Sequence, residues 1–333
     1  MRRLLVSPVR IHSLIWAHTH TQVLKTSLEL DVFSLIAGGH QTVQEIAKAS
    51  RTSKRGMEML LNANVGLGLL RKNGDEYELT EESRQFLVKG SPLYMGKIFS
   101  LRGVRENHWG HLTKAVKKGK PVKMRFHPGK KFWTHLVEAI FPGSYLKAKT
   151  LLEAWKVPQR KEVYRILDVA AGSGAWSIPF ADRYKRVRVT ALDYPEVLTT
   201  TRKYARKYGV SSQYSYLPGD LEVLPFGKET YDLIILGNIC HSLGVRKSQR
   251  LFQKSYEALK NNGHIVIAET LPNENREGPL FPLLFALNML LHSVEGNTFT
   301  LKEYRDWLTK AGFRSVKTIR ISPAPSPLIL AKK

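Results

Sequence analysis

Residues 165–177 constrain the fold of this chain more than any other segment. They read RILDVAAGSGAWS, in which the largely apolar run 166–169 is typical of a parallel strand that is covered on both faces. Gly172 and Gly174 follow closely, and glycine allows the backbone to turn sharply and to approach a ligand. The segment therefore predicts a strand, a ligand-binding turn and a helix.

Four further strand patterns follow this turn, and helical patterns separate them. They are predicted at 187–192, around 216–221, at 231–237 and at 261–269, the last behind a helix that ends at the stop signal Asn261-Asn262-Gly263. Strands that alternate with helices favour a parallel sheet with helices on both faces. We therefore expect an α/β fold with a Rossmann-like sheet in the C-terminal part of the chain.

Polar side chains recur where these strands end. Asp168, Asp193, Asp220, His241 and Glu269 all fall at predicted carboxyl ends, which is where open α/β sheets bind ligands. Asp193 is placed to accept hydrogen bonds from the ribose hydroxyls of a nucleoside, and Asp220 to accept one from an adenine amine. The sequence thus predicts a nucleoside site at this edge of the sheet.

The glycine turn could belong to either of two kinds of nucleotide site. A dinucleotide fingerprint needs a third glycine to pack the helix against the strand, but this chain has Ser177 at that position. Asp168, the pair Ala170-Ala171 and the two glycines instead resemble the first motif of class I S-adenosylmethionine (SAM) methyltransferases. This resemblance implies SAM as the cofactor, S-adenosylhomocysteine as its product, and no metal.

The first 90 residues show a different pattern. Apolar residues between 11 and 28 form a face too wide for a lone surface helix, so we expect this face to pack on a partner. Residues 42–45 form a capping box, Ser53 begins a second helix, and Asn73-Gly74 marks the turn of a hairpin. Two helices followed by a two-stranded wing predict a winged-helix domain, which either binds DNA or joins two chains.

The chain is strongly basic, with 52 Lys and Arg against 28 Asp and Glu and a formal net charge of +24. Such a balance is typical of proteins that bind nucleic acid or another anionic surface. The helix that begins at Ser53, however, continues after Arg55 with Gly56, Met57 and Glu58, which offer few side chains for reading base edges. The sequence therefore favours dimerisation, and nucleic acid is not an expected partner.

Three regions follow from these patterns: a winged-helix dimerisation domain at 1–90, a helical linker at 91–158 and a SAM-binding domain at 159–333. The linker is rich in aromatic residues, which commonly line pockets for small apolar molecules. The candidates for an acceptor pocket are Trp109, Phe141, Phe285, Met289 and His292.

Cysteine usage and hydropathy indicate the compartment. The single cysteine, Cys240, excludes an intramolecular disulfide and suits a reducing environment. The longest nearly apolar run, 280–291, is shorter than the ~20 residues that span a bilayer. No segment is convincing as a targeting signal. We therefore expect a cytoplasmic protein without a membrane span.

Over its whole length the chain resembles the winged-helix SAM-dependent O-methyltransferases, which include caffeic acid, acetylserotonin and hydroxyneurosporene O-methyltransferases. Residues 193–198, DYPEVL, are similar to the family's D-L-P-x-V segment, and residues 239–241, ICH, match its I-C/L-H. The resemblance implies a homodimer that methylates a small, largely apolar acceptor, most often at a hydroxyl oxygen. It also implies a catalytic pair in which His241 is the general base and Glu269 holds its ring.

The same resemblance implies which residues bind SAM. They are Asp168, Ala170, Gly172, Gly174, Asp193, Tyr194, Gly219, Asp220, Leu221 and Asn238. Two departures from the family pattern stand beside these matches: Ser242-Leu243 replaces the Asp-Trp that usually follows the histidine, and Thr298 replaces a second acid. They leave a C- or N-methyltransferase of the same fold as the alternative, and a winged-helix DNA-binding regulator as a distant third.

Overall fold

The computed structural model describes residues 6–101, 108–122, 130–155, 163–321 and 326–333. The chain forms two compact units, Met1–Ser100 and Leu101–Lys333. The predicted linker, 91–158, is divided between these two units, and its predicted boundary with the third region lies outside the described residues.

The first unit contains five helices and one hairpin within its described residues. They are α1 (Val9–Glu29), α2 (Val32–Ala37), α3 (Val43–Ala49), α4 (Lys54–Gly66), β1 (Leu70–Asn73), β2 (Glu76–Leu79) and α5 (Glu81–Phe86), followed by a 3₁₀ turn at Gly96–Ser100. The Thr42 side chain accepts from the amide of Glu45, whose carboxylate accepts from the amide of Thr42, so the predicted capping box is present. The winged-helix prediction is confirmed.

The hairpin turn differs from the prediction by one residue. Asn73 pairs with Glu76 across the two strands, so the turn consists of Gly74 and Asp75 rather than Asn73-Gly74. Gly74 has a φ of 58°, which glycine adopts at little cost. Tyr77 on the second strand is fully buried, and this fixes which face of the wing packs on the helices.

The second unit contains seven helices and seven strands among its described residues. The helices are α6 (Leu112–Lys118), α7 (Lys130–Ala154), α8 (Ile178–Arg183), α9 (Pro195–Lys207), α10 (Cys240–Ala258), α11 (Leu280–His292) and α12 (Leu301–Lys310). The strands are β3 (Tyr164–Val169), β4 (Val187–Asp193), β5 (Tyr214–Pro218), β6 (Tyr231–Gly237), β7 (Leu259–Ala268), β8 (Arg314–Ile319) and β9 (Leu328–Lys332).

These strands form one sheet in the order β5-β4-β3-β6-β7-β9-β8. Strands β3 to β7 are parallel, whereas β9 runs antiparallel to both β7 and β8. Neighbouring residues of β3 enter opposite cores, since Ile166 packs with α7, α8 and α9 while Leu167 packs with α10 and α12. The predicted α/β class is confirmed, and the strand order reverses between β3 and β6, where such sheets bind ligands.

One element boundary is corrected. Helix α10 ends at Ala258, and Asn261-Asn262-Gly263 lies inside β7 instead of ending the helix. The strand already begins at Leu259, which is buried and pairs with Tyr231. The register then shifts before His264 pairs with Leu233, and Asn262 takes up the extra length with a left-handed φ of 64°. The predicted stop signal is therefore a bulge in the pairing of β7 with β6.

Two further findings concern the described part of the chain. No helix there is long and apolar enough to cross a membrane. Within the same residues, no group of three or more His, Cys, Asp or Glu side chains has an arrangement that holds a metal ion.

Candidate active site

Hydrogen bonds hold the glycine turn after β3 from two sides. Its residues Ala170, Gly172 and Gly174 have φ values of 54°, 58° and 75°. The amide of Gly172 donates to Oδ2 of Asp193 over 2.8 Å, and its carbonyl accepts from the Thr201 hydroxyl over 2.7 Å. The turn is therefore bonded both to the end of β4 and to α9.

A side chain at Gly172 would be crowded by the helix that covers the turn. A Cβ at this position would lie 3.0 Å from Cγ1 of Val137 on α7. Since its φ is also positive, glycine is the residue that fits here. The turn thus forms a tight cradle between α7 and the sheet edge, of the kind that lets a backbone approach a nucleoside cofactor.

Asp168 lies beneath this turn rather than at its surface. It is 1% exposed, and its Oδ2 accepts from the Ser177 hydroxyl over 2.5 Å. The Ser177 hydroxyl also lies 2.9 Å from the hydroxyl of Tyr214 on β5. Burial raises the pKa of Asp168 to about 7. Asp168 therefore holds the turn to the helix behind it, through the serine that stands where a dinucleotide fingerprint has its third glycine.

Asp193 ends β4 with both carboxylate oxygens engaged. Oδ2 accepts from Gly172, and Oδ1 accepts from the amide of Tyr194 over 2.7 Å, whereas the Tyr194 ring is exposed. Burial nevertheless raises the pKa of Asp193 to about 6, although the two amides oppose this shift. A ligand that brings hydroxyl donors and a positive charge would stabilise the ionised form, so the site fits a sulfonium nucleoside.

The third predicted segment, Gly219 to Leu221, follows β5. The Gly219 amide donates to the carbonyl of Asp193 over 3.0 Å, and Asp220 accepts from the amide of Glu222 over 2.8 Å. Sequence reasoning missed Lys254, whose ammonium donates to the carbonyl of Leu221 over 2.7 Å. A lysine in the middle of an amphipathic helix gives no signal of such a contact.

Asn238 follows β6 with a φ of 59°. Its amide donates to the carbonyl of Ala268 over 2.9 Å, and its side-chain amide lies 3.4 Å from the Ser144 hydroxyl of α7. The structure therefore brings Asn238 to the same edge as the glycine turn, under the helix that covers that turn.

His241 and Glu269 form a close pair where β6 and β7 end. Nδ1 of His241 lies 2.7 Å from Oε2 of Glu269, whose side chain is 2% exposed. The other oxygen of Glu269 accepts from the amides of Cys240 and His241, at 2.7 and 3.3 Å. Because an ionised carboxylate only accepts, Nδ1 carries the proton and Nε2 keeps a lone pair.

Of the two departures from the family pattern, Ser242-Leu243 lies in the first turn of α10 and Thr298 lies in the segment that supports the histidine. Thr298 is buried, and its hydroxyl donates to the carbonyl of Pro282 over 3.3 Å. The preceding Asn297 donates its amide to the carbonyl of His241 over 2.9 Å. Thr298 thus ties this segment to α11, and the contact with His241 is made by backbone.

Three of the predicted acceptor-pocket residues lie on one face of α11. The Phe285 ring meets the His241 ring edge-on, with centroids 5.0 Å apart, and Phe281 stacks on Phe285 at 5.8 Å. Met289 is buried, and Nε2 of His292 lies 2.9 Å from Nδ1 of His108. The face carrying Phe285 therefore adjoins the candidate base.

The other two predicted pocket residues, Trp109 and Phe141, differ in exposure. Trp109 is 42% exposed and lies in the 3₁₀ turn His108–His111 beside α11. The prediction for Phe141 is wrong, because this ring is 1% exposed and packs in the core against Tyr145, Tyr204 and Tyr208. A side chain so enclosed has no surface for an acceptor.

The doubly wound sheet, the cradle at its switch point and the polar strand ends define a class I SAM-dependent methyltransferase. Residues 109–314 match the O-methyltransferase domain family, and residues 13–89 match the O-methyltransferase dimerisation domain. The chain therefore belongs to the O-methyltransferase family. The predicted family, enzyme class and cofactor are confirmed, and the regulator is not supported.

Similar proteins agree with this assignment over nearly the whole chain. The chain is 28% identical to the 3-hydroxy-5-methyl-1-naphthoate 3-O-methyltransferase of Streptomyces sahachiroi, covering 94% of this chain and 92% of that protein. It is 30% identical to the human acetylserotonin O-methyltransferase, covering 94% of each. A crystal structure of human N-acetylserotonin methyltransferase in complex with SAM superposes with a TM-score of 0.84 at 27% identity, covering 100% of this chain and 99% of that one.

Proposed function

We propose that this enzyme methylates a hydroxyl group on a small aromatic acceptor and that His241 is its general base. The contact between Nδ1 of His241 and Oε2 of Glu269 carries the proposal. Since Nδ1 carries the proton, Nε2 is the atom that takes the hydroxyl proton as the acceptor oxygen attacks, a role worth typically 10²- to 10⁴-fold in rate. Glu269 fixes the tautomer and stabilises the imidazolium that forms.

The cofactor site is assigned to the edge formed by β3, β4, β5 and β6. Asp193 would accept from the ribose hydroxyls, Asp220 and Leu221 would hold the adenine, and the turn at Gly172 and Gly174 would hold the central part of the nucleoside. SAM supplies the electrophilic methyl group. Asp168 acts indirectly, because it is buried and bonded to Ser177. The protein's own contribution is to orient the two substrates and to accept one proton.

The acceptor class follows from α11 and from the similar proteins. Phe281 and Phe285 present stacked rings beside His241, which favours a flat aromatic acceptor over an aliphatic one. The similar proteins are named for a hydroxynaphthoate and for acetylserotonin. We therefore assign the acceptor to hydroxylated bicyclic aromatic compounds, with their reacting hydroxyl at Nε2 of His241.

The dimerisation domain supports a homodimer, and we propose that α1 packs against its copy across the two-fold axis. Its residues Ile11, Leu14, Ile15 and Trp16 are all exposed within one chain. A surface of this kind on an isolated chain is typical of an interface. We also propose a cytoplasmic location, which the single cysteine suits, and no nucleic-acid partner for the basic surface.

Methyl transfer from SAM with a labelled methyl group tests the reaction. A panel of naphthols and hydroxyindoles is matched with the same ring systems lacking the hydroxyl, and the product is examined by carbon NMR. We expect label at an O-methyl position and none with the compounds that lack the hydroxyl. Label on carbon or nitrogen would contradict the proposal.

A further inference from the structure

A half-buried lysine stands on the helix that covers the cofactor cradle. Lys147 lies on α7, one turn after Ser144, whose hydroxyl contacts the side chain of Asn238 at 3.4 Å. Residues seven and three apart share a helix face, so Val137, Ser144 and Lys147 lie along one side of α7. Val137 borders Gly172 on that side. The lysine therefore continues a line of residues that already touches the cradle and the end of β6.

The ammonium group of Lys147 has no carboxylate partner in the described part of the chain. Burial lowers the pKa of Lys147, while the charge of nearby Glu269 opposes that shift. Glu269 itself is already engaged by the His241 ring and by two backbone amides. A cation taken out of water without a partner costs free energy that an anionic ligand group would recover.

The direction in which SAM lies in the proposed site indicates which anionic group Lys147 could bind. In the proposed site β5 would hold the adenine and β4 the ribose; β3 and β6 follow next in the sheet, so the residues there and on α7 above them would hold the methionine part of SAM. The acceptor side is formed by a different helix, α11, through Phe285. The anion nearest to α7 is then the carboxylate of the methionine part of the cofactor.

We propose that Lys147 binds the carboxylate of the methionine part of SAM. The inference rests on the proposed cofactor site and adds a residue to it that no motif of the sequence indicates. The ammonium donates to a carboxylate oxygen, which is a charge-assisted hydrogen bond of the stronger kind. Because this contact is remote from the transferred methyl group, it contributes to cofactor affinity more than to the rate of methyl transfer.

Isothermal titration calorimetry with two ligands tests this contact. SAM and decarboxylated SAM, which keeps the sulfonium and the nucleoside, are each titrated into the wild-type enzyme, K147M and K149M. Lys149 is the matched control, since it lies two residues further along α7 and is exposed. We expect K147M to weaken SAM by about tenfold or more and to leave decarboxylated SAM unchanged, and we expect K149M to match the wild type.

The same titrations separate failure of this inference from failure of the proposed site. An equal loss of both ligands in K147M, or no loss of either, would overturn the role of Lys147 while the cofactor site stands. Wild-type enzyme that binds neither ligand would overturn both. Unchanged binding of decarboxylated SAM by K147M also shows that the variant is folded.

Discussion

The amide of Gly172 donates to the carboxylate of Asp193 over 2.8 Å, which bonds the glycine turn after β3 to the end of β4. The acid that is proposed to take the ribose therefore also fixes the turn that holds the rest of the nucleoside. Its ionisation state controls both functions, because a protonated carboxyl accepts fewer hydrogen bonds.

Cofactor affinity should therefore fall in acid. Burial raises the pKa of Asp193 to about 6 in the unliganded protein. Ribose hydroxyls donate hydrogen bonds, so in the proposed site SAM should bind the ionised form more tightly. Protonation competes with binding below that pH, so we expect the dissociation constant to be about tenfold higher at pH 5 than at pH 8. Calorimetry from pH 5 to 8 measures this dissociation constant. D193N is the control, because it has no carboxylate to protonate and should bind SAM weakly at every pH. An affinity independent of pH would contradict the assignment.

Removal of the general base should affect rate and not cofactor binding. We expect H241A to lower kcat by about 10²-fold or more with little change in the dissociation constant of SAM. E269Q should lower kcat less than H241A does, because the glutamine amide still bonds the histidine ring. It lacks the charge that stabilises the imidazolium. The double variant should be no slower than H241A, since the two residues act as one unit. Full rate in H241A at pH 7, on an acceptor that is not already ionised, would exclude this role.

The exposed apolar residues of α1 predict a dimer in solution. Ile11 and Ile15 are 62% and 63% exposed in one chain, and they lie one turn apart on the helix. Analytical ultracentrifugation at micromolar concentration should give twice the mass of one chain. I11E/I15E should shift the enzyme toward the monomer, whereas V223E, at an apolar position in the second unit that is 79% exposed, should not. A wild-type protein that sediments as a monomer would contradict the proposal.

The elements that were predictable from sequence are those set by local rules. The capping box at Thr42 and the apolar pattern of β3 depend on residues a few positions apart, and both are present as expected. The acids at Asp193 and Glu269 were placed correctly at strand ends, because parallel strands bring their carboxyl ends to one edge. Local pattern together with that topological rule was sufficient to bring these acids to one edge of the sheet.

What remained hidden depends on packing between distant parts of the chain. Ser177 looked like a missing glycine, yet its hydroxyl joins Asp168 to Tyr214, which lies 37 residues further on. Phe141 looked like a pocket residue because aromatic composition does not distinguish a core ring from a lining one. The bulge at Asn262 was likewise read as a helix end, since the same residue types favour both.

Lys254 should act as a positioning residue for residues 219–224, which follow β5 and are called the cofactor loop below. Its ammonium donates to the carbonyls of Leu221 and Leu224, both at 2.7 Å, and lies 4.4 Å from the centre of the Phe226 ring. Without these bonds the loop that carries Asp220 has fewer restraints. We expect K254M to raise the KM for SAM about fivefold with little change in kcat. K254R should keep part of the contact and give a KM between those of K254M and the wild type.

A matched control for Lys254 exists at the end of the chain. Lys333 donates to the carbonyl of Leu259 over 2.7 Å and lies 4.9 Å from the centre of the Tyr256 ring, but it has no contact with the cofactor loop among the described residues. K333M should therefore lower stability by a similar amount and leave the KM for SAM unchanged. Equal changes of KM in K254M and K333M would show that the effect of Lys254 is only one of general stability.

A glycine divides α10 just after the candidate base. Gly244 has a φ of 75°, and a Cβ on it would lie 2.7 Å from Cβ and 2.8 Å from the carbonyl oxygen of Glu295. That segment continues to Asn297, whose amide bonds the carbonyl of His241. An alanine at 244 must therefore displace either the first turn of α10 or the segment that supports it.

We expect G244A to lower the free energy of unfolding by about 2 kcal/mol or more, from the positive φ and the backbone clash together. It should also lower kcat, because the displaced turn carries His241. G66A is the matched control, since Gly66 is the last residue of α4 and a Cβ there meets nothing within 4 Å. That variant should be neutral or slightly stabilising, as alanine favours helix. Chemical denaturation and steady-state kinetics measure both. If G244A matches the wild type in stability and kcat, contact with the 295–297 segment does not hold the histidine in place.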